Sequence, residues 1–236
     1  VIIKIKRHNI ENKLRIALDD IVYTIDFFSF LPILKKYNIP QIIRDCSETL
    51  YNQVNLEEEV KNTISIRENC KKIKYVKIPE INTSVTIKYP NAIVMEFIDG
   101  LPIHMVSPED YITYAKLVMK FGFTTTLLHG FTHADLHAGN ILFIKDDSDK
   151  VPYKIGVIDF GVVFNINPRY KNNLLEIFSE LFSLTPYEIS KKILVSGILE
   201  PINIINSLPE HNFMDIINFT SIIIERTIQG KKEANQ

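Results

Sequence analysis

The sequence predicts an α+β fold in two lobes, a mixed helix-and-strand lobe over residues 1–99 and a mostly helical lobe over residues 100–236. Short β-branched segments alternate with long helical patterns up to the turn at Asp99-Gly100, and helical patterns dominate after it. One polar hairpin, at about residues 141–158, interrupts the second lobe. The 236 residues are 46% hydrophobic and 23% charged, which indicates a folded chain rather than a disordered one.

The first lobe opens with Val1–Ile5, which is short and β-branched and therefore predicts a strand. Asn9 is a candidate N-cap for a helix that runs to about Phe28, because apolar residues follow it at spacings of three and four. A second long helix is predicted over residues 41–70. Three further short strands are predicted at 76–79, 84–89 and 92–95.

The second lobe contains several helix-start signals. Ser107 and Pro108 begin a helix that we expect to reach about Leu128. Asn167-Pro168 opens another helix, and Thr185 starts a capping box for the next. A last helix is predicted over 214–228. Between these helices, apolar strands at 141–144 and 155–158 flank a polar loop.

Charge and cysteine content exclude some classes of function. The net charge is −1, with 27 basic and 28 acidic residues, so no nucleic-acid surface held by bulk charge is expected. Two cysteines are too few for a disulfide framework and indicate a reducing compartment, either cytoplasmic or membrane-peripheral. No apolar run reaches the length of a transmembrane helix. Because the chain opens directly on a strand, we expect further sequence upstream of Val1 and an incomplete first lobe.

The segment His133-Ala-Asp-Leu-His-Ala-Gly-Asn140 carries the strongest chemical signal. It precedes a short apolar strand, and Asp159-Phe-Gly161 follows the next strand, 19 residues after Asn140. Asp135, Asn140 and Asp159 thereby converge at one end of a hairpin. Carboxylate and amide oxygens are hard ligands that suit Mg²⁺ bound together with nucleotide phosphates.

This order of residues matches the kinase pattern HxDxxxxN…DFG. Asp135 is then the candidate that orients or deprotonates the attacking hydroxyl or water, and Asn140 and Asp159 are the candidate metal ligands. His137, two residues after Asp135, is expected near the γ-phosphate. Each motif alone often occurs by chance. The occurrence of both motifs in this order, each beside a short apolar strand, is much less frequent by chance.

Lys4 gains a role in this context as the strand-borne lysine that contacts the α- and β-phosphates. Its expected partner is a glutamate on the second long helix, because an unpaired lysine in an apolar cleft is costly. The candidates are Glu57, Glu58 and Glu59. Successive residues of a helix point about 100° apart, so only one of the three can face the cleft. The sequence spacing does not show which of the three it is.

The apolar strand at 92–95 and the turn after it predict a hinge between the lobes. Adenine is expected against the backbone of Glu96, Phe97 and Ile98, with Met95 lining the pocket. A buried strand followed by a turn explains this segment equally well.

These residues together resemble the UbiB/ADCK (aarF-domain) family of atypical, protein-kinase-like proteins, which is tied to coenzyme Q biosynthesis and lipid homeostasis. The family's catalytic loop reads close to HADPHPGN, and its lysine strand close to VAVKVQRPGI, as at Val1–Ile10 here. The hinge VMEFIDG at 94–100 is also typical. The resemblance implies a kinase-like fold, ATP and Mg²⁺ as cofactors, and Glu59 as the partner of Lys4. It extends over residues 1–185.

The sequence departs from the family in three places. Gln53 and Asn55 stand where the family has an E-x-D motif, so two charges are lost while the sizes are kept. Leu136 and Ala138 replace prolines of the catalytic loop. The family's KxGQ motif and Ala-rich nucleotide loop would lie upstream of Val1. The first and last departures bear on regulation and nucleotide selectivity.

Three functions remain open from the sequence. The first is an ATP- and Mg²⁺-dependent kinase or ATPase of the UbiB type, acting in lipid or quinone metabolism, with a peripheral membrane contact among the implied partners. Only six residues, 162–167, separate Gly161 from the next helix, which leaves no room to lay out a peptide substrate. The second is a small-molecule kinase of the choline or aminoglycoside phosphotransferase type, and the third is a non-catalytic nucleotide-binding scaffold.

Overall fold

A computed structural model describes residues 1–52, 54–181, 183–196 and 202–233. The strands are β1 (Ile2–Ile5), β2 (Val76–Lys77), β3 (Ala92–Met95), β4 (Phe131–His133), β5 (Ile141–Lys145), β6 (Tyr153–Val157) and β7 (Val163–Asn165). The helices are α1 (Ile10–Phe27), α2 (Pro32–Lys36), α3 (Ile39–Asn52), α4 (Leu56–Cys70), α5 (Thr83–Lys88), α6 (Tyr111–Phe123), α7 (Pro168–Glu180), α8 (Pro186–Val195), α9 (Ile202–Asn206) and α10 (Glu210–Glu233).

The chain divides into two compact units, one formed by residues 1–122 and 133–164 and the other by the described residues of 123–132 and 165–236. The predicted lobe boundary at residues 99–100 stays a prediction.

Two small sheets organise the first unit. Strand β1 pairs antiparallel with β3, with Lys4 opposite Ile93. Strands β2, β6 and β5 form the other sheet, in which β2 is parallel and β5 antiparallel to β6. The alternating inward side chains of β5 and β6 are buried, as expected for strands with one face on a core. Helix α4 covers β3, where Leu56 packs with Ile93 and Met95 in a small core cluster.

The second unit is helical around a pair formed by α8 and α10. Ile189 and Leu194 of α8 and Ile217 of α10 are buried. The predicted capping box is present, because the Thr185 hydroxyl accepts from the Glu188 amide while the Glu188 carboxylate accepts from the Thr185 amide. Helix α10 extends past Gly230, so the predicted stop at that residue is wrong.

Two elements of the first unit have a structure different from the one that the sequence predicts. The single helix expected over 41–70 is two helices, because Asn55 takes an extended backbone and its side chain accepts from the amides of Glu57 and Glu58, which starts a new helix. The strand expected at 84–89 is helix α5. The Asn82 side chain accepts from the Val85 amide, and this local cap outweighs the β-branched composition.

Within the described residues, no helix combines the length and the apolar character that a membrane crossing requires.

Candidate functional site

An ion pair joins strand β1 to helix α4 in the first unit. Lys4 Nζ is 2.7 Å from both carboxylate oxygens of Glu59 and 3.1 Å from Asp159 Oδ2. The Glu59 side chain is 3% exposed, whereas those of Glu57 and Glu58 are exposed and pair with a lysine of their own helix. The 100° step of the helix therefore brings Glu59 to Lys4 and turns its two neighbours away.

Burial and charge act in opposite directions on these three groups. Burial tends to lower the pKa of Lys4, but Glu59 and Asp159 outweigh it and raise that pKa above its ordinary value. Burial raises the pKa of the Glu59 carboxyl, and the Lys4 ammonium opposes that rise. Burial also acts to raise the pKa of Asp159, but the Gly161 amide and Lys4 prevail and lower it. Lys4 is therefore a cation held between two carboxylates.

Asp159 follows strand β6 and has a defined orientation. Its Oδ1 accepts a 2.9 Å hydrogen bond from the Gly161 amide, while Oδ2 faces Lys4. The amide of Ile158 donates to the carbonyl of Asn140, which joins the start of this segment to the loop before β5. Asn140 Nδ2 donates to the carbonyl of Asp135, so the amide oxygen of Asn140 is the atom available to a cation.

The catalytic-loop candidates lie on an exposed turn. The Asp135 and His137 side chains are 59% and 57% exposed, and His137 Nε2 lies 3.7 Å from Asp135 Oδ2. The Gly139 amide donates to His137 Nδ1, which orients the ring toward its own turn. An exposed carboxylate is accessible to a substrate hydroxyl or to water.

Two residues to which the sequence reasoning gave no role contact the Asp159-Phe160-Gly161 segment. His133 Nε2 lies 2.6 Å from the carbonyl oxygen of Asp159, and the Asp135 amide donates to His133 Nδ1, which places the proton on Nε2. Burial lowers the pKa of His133, in keeping with a neutral ring. Asn62 Nδ2 donates to the carbonyl of Phe160. His133 could have been found as the first residue of the HxD motif, whereas Asn62 carries no sequence signal.

A cavity of about 360 Å³ connects most of the predicted site. Its polar lining residues include Lys4, Asn140 and Asp159, and its apolar lining residues include Leu142 and Ile158. All four predicted hinge residues, Met95, Glu96, Phe97 and Ile98, line it as well. Asp135, His137 and Glu59 do not line it. A cavity lined by apolar side chains and by a lysine fits a ligand that has both an apolar ring and anionic groups.

The donor set also fits magnesium bound together with phosphates. Within the described residues, no group of three His, Cys, Asp or Glu side chains could hold a metal ion by itself. Asp159 and Asn140 offer one carboxylate and one amide oxygen, and Mg²⁺ is commonly held by one or two protein oxygens, with water and phosphate completing its shell.

Comparisons with known proteins identify the family of the chain. The profile of the ABC1 atypical kinase-like domain matches residues 1–192. A "Probable protein kinase UbiB" of Blochmanniella pennsylvanica is 33% identical over 173 residues, which cover 71% of this chain and 31% of that protein. The "Protein ACTIVITY OF BC1 COMPLEX KINASE 8, chloroplastic" of Arabidopsis thaliana is 27% identical over 165 residues, covering 68% of this chain and 21% of that protein.

A solved structure is similar in fold. It is described as the complex of Rv3197 with erythromycin from Mycobacterium tuberculosis, and it matches with a TM-score of 0.55 at 16% identity, covering 94% of this chain and 66% of that one. The predicted kinase-like α+β fold is thereby confirmed. The chain spans about a third or less of the length of the two curated relatives named above. The resemblance inferred from the motifs is also confirmed: the chain belongs to the ABC1 atypical kinase-like family, which includes the UbiB and ADCK proteins.

Proposed function

We propose that the chain binds ATP with Mg²⁺ and acts as a kinase or ATPase of the UbiB type. The observation that carries this proposal is the single cavity lined by Lys4, the 95–98 hinge, Asn140 and Asp159. The cavity would thereby supply a cation for the phosphates, oxygen ligands for a metal and a surface for the adenine ring, all of which serve phosphoryl transfer from ATP.

The contacts of each group support the role that we propose for it. Lys4, held by Glu59, would bind the α- and β-phosphates, and Asn140 and Asp159 would hold Mg²⁺, which neutralises phosphate charge when bound. The Glu96 amide already donates to the Glu80 carbonyl, so the backbone groups of Phe97 and Ile98 are the candidates for adenine.

The catalytic turn supplies the remaining groups. The Asp135 carboxylate would accept the proton of the attacking hydroxyl or water, and His137 would lie near the γ-phosphate.

For the phosphoryl acceptor, we propose a lipid, a quinone-pathway small molecule or water rather than a protein. Six residues lie between Gly161 and helix α7, too few for the long segment on which protein kinases lay out a peptide. The family resemblance supports lipid or coenzyme Q metabolism, and with it a membrane-peripheral place of action.

The test of the nucleotide site is a thermal shift with ATP, measured with and without Mg²⁺. A ligand at 100 times its dissociation constant stabilises the folded state by about 2.7 kcal/mol, which gives a clear melting shift. We expect a Mg²⁺-dependent shift for the wild type that Asp159→Asn loses. Asp147→Asn, which makes the same change on the exposed turn at 146–150, should keep the Mg²⁺-dependent shift. Equal shifts in both variants, or none in the wild type, would contradict the proposal.

Turnover assays then separate the three functions. Phosphate release, or transfer to lipid hydroxyls, supports the UbiB-type reaction. A phosphorylated choline or aminoglycoside product favours the small-molecule kinase, and tight nucleotide binding without turnover favours the scaffold.

A further inference from the structure

A polar contact joins helix α4 to the backbone of the Asp159-Phe160-Gly161 segment. Asn62 lies three residues after Glu59, so both side chains lie on neighbouring parts of the same helix face. Asn62 Nδ2 donates a 3.1 Å hydrogen bond to the carbonyl oxygen of Phe160. Asn62 is half-buried, and the Phe160 side chain is fully buried.

The segment is held by contacts from three other parts of the first unit. Lys4 on β1 binds the Asp159 carboxylate, and His133 donates to the Asp159 carbonyl. Asn62 on α4 adds the bond to the next carbonyl along the chain. The contacts of Lys4 and His133 act on Asp159 itself, whereas Asn62 acts on the peptide bond between Phe160 and Gly161.

The two contacts of helix α4 act at different points of the candidate site. Glu59 binds the lysine that we assign to the phosphates, and Asn62 binds the segment that carries the candidate metal ligand Asp159. A displacement of α4 would therefore move Lys4 and loosen the Phe160 peptide together. Loss of the Asn62 donor would leave a carbonyl without this partner next to a buried ring, and an unmade hydrogen bond at such a place is costly.

We propose that Asn62 is a positioning residue that orients Asp159 for a metal-bound nucleotide by fixing the Phe160 carbonyl to helix α4. This inference deepens the proposed function and rests on it. Loss of the Asn62 amide should weaken the contribution of Mg²⁺ to nucleotide binding and leave metal-free nucleotide binding nearly unchanged.

The first experiment measures ATP affinity with and without Mg²⁺ for the whole chain. Asn62→Leu keeps the approximate size but removes the donor, and Asn62→Gln keeps a donor. The matched control is Asn173→Leu, because Asn173 Nδ2 also donates to a backbone carbonyl, that of Ser196, and Asn173 does not line the cavity.

For Asn62→Leu we expect the Mg²⁺-dependent gain in affinity to fall roughly five- to tenfold, the effect of one net hydrogen bond. Asn62→Gln should recover part of the gain, and Asn173→Leu should keep all of it. A purely structural role for Asn62 would lower the melting temperature without changing the ratio of the two affinities, and that result would overturn the inference.

The second experiment needs no nucleotide, so its outcome does not depend on the proposed function. The Gly161 amide donates to Asp159 Oδ1, and its hydrogen exchange reports whether the segment keeps its conformation. Asn62→Leu should speed this exchange at least fivefold, whereas Asn173→Leu should leave it unchanged. Unchanged exchange in Asn62→Leu refutes the positioning role. Faster exchange in a chain that binds no nucleotide supports the contact and refutes the proposed function alone.

Discussion

Replacing Lys4 with methionine is expected to destabilise the chain more than replacing Glu59 with glutamine. The two partners of this ion pair have very different access to water. The Glu59 side chain is 3% exposed, whereas that of Lys4 is 39% exposed and also contacts Asp159. Lys4→Met therefore leaves a buried carboxylate without its cation, but Glu59→Gln leaves a lysine that retains a carboxylate and water.

The size of the effect follows from these exposures. Removing one partner of a fully buried pair costs roughly 3–5 kcal/mol. Because water reaches 39% of the Lys4 side chain, we expect Lys4→Met to cost about 2 kcal/mol. Glu59→Gln should cost about 1 kcal/mol, since Lys4 keeps its contact with Asp159. The double variant should recover part of the loss, because a buried amide replaces the unpaired charge.

The loss of stability in Lys4→Met should depend on pH, because Lys4 changes the pKa of Glu59. Burial raises the pKa of Glu59, and Lys4 is the group that opposes this rise. In Lys4→Met the folded state favours the protonated form of Glu59. This variant is therefore most stable at low pH, and it loses stability as the pH rises through the raised pKa of Glu59. The gap in unfolding free energy between the wild type and Lys4→Met should be widest near neutrality and narrow below about pH 4.

Urea unfolding at several pH values, followed by circular dichroism, measures that gap. Lys88→Met, on the exposed end of α5, is the matched control and should leave stability nearly unchanged. A cost of Glu59→Gln that equals or exceeds that of Lys4→Met would refute the reasoning, and so would a gap that does not change with pH.

Three further predictions concern the N-cap of α4, a glycine of strand β6 and His133 at the end of strand β4. Asn55→Ala should cost about 1 kcal/mol in urea unfolding because α4 loses its N-cap, whereas Asn55→Asp keeps the cap and should cost little. Gly156→Ala should destabilise the chain by about 1–3 kcal/mol, since the new methyl group would lie 2.7 Å from Ile98 Cγ2. The same substitution should weaken ATP binding, because Ile98 lines the cavity. Burial lowers the pKa of His133, so its contribution to stability is present above pH 6.5 and is lost as the pH falls. His133→Gln should reduce the loss of melting temperature between pH 7 and pH 5.

Each of these predictions has a result that contradicts it. Equal losses for Asn55→Ala and Asn55→Asp would show that the cap contributes nothing. Unchanged stability and ATP affinity in Gly156→Ala would mean that Ile98 relaxes freely. A wild type and a His133→Gln variant with the same pH profile would exclude His133 as the titrating group.

Local sequence signals predicted much of the first unit, although the roles of the site residues stay predictions. The strands β1, β3, β5 and β6 follow from short apolar runs, and the predicted hinge residues line the cavity that Lys4 and Asp159 also line. The errors at Asn55 and Asn82 share one cause. In each case an Asx side chain caps the following amides, and such local competition outweighs an apolar pattern read over a longer window. Gln53, the other departure from the family motif, lies outside the described residues.

The sequence by itself determined the family and the candidate site residues, because the HxDxxxxN and DFG motifs are short and each is read from neighbouring residues of the chain. The tertiary structure decided which residues meet. Lys4 and Glu59 are in contact although they are 55 residues apart in the sequence, and Asn62 and Phe160 are in contact although they are 98 residues apart. From the residues alone Glu57, Glu58 and Glu59 are equivalent, and Asn62 is one more polar helix residue. Their difference arises from the packing of α4 on β3, because that packing determines which side of the helix is buried.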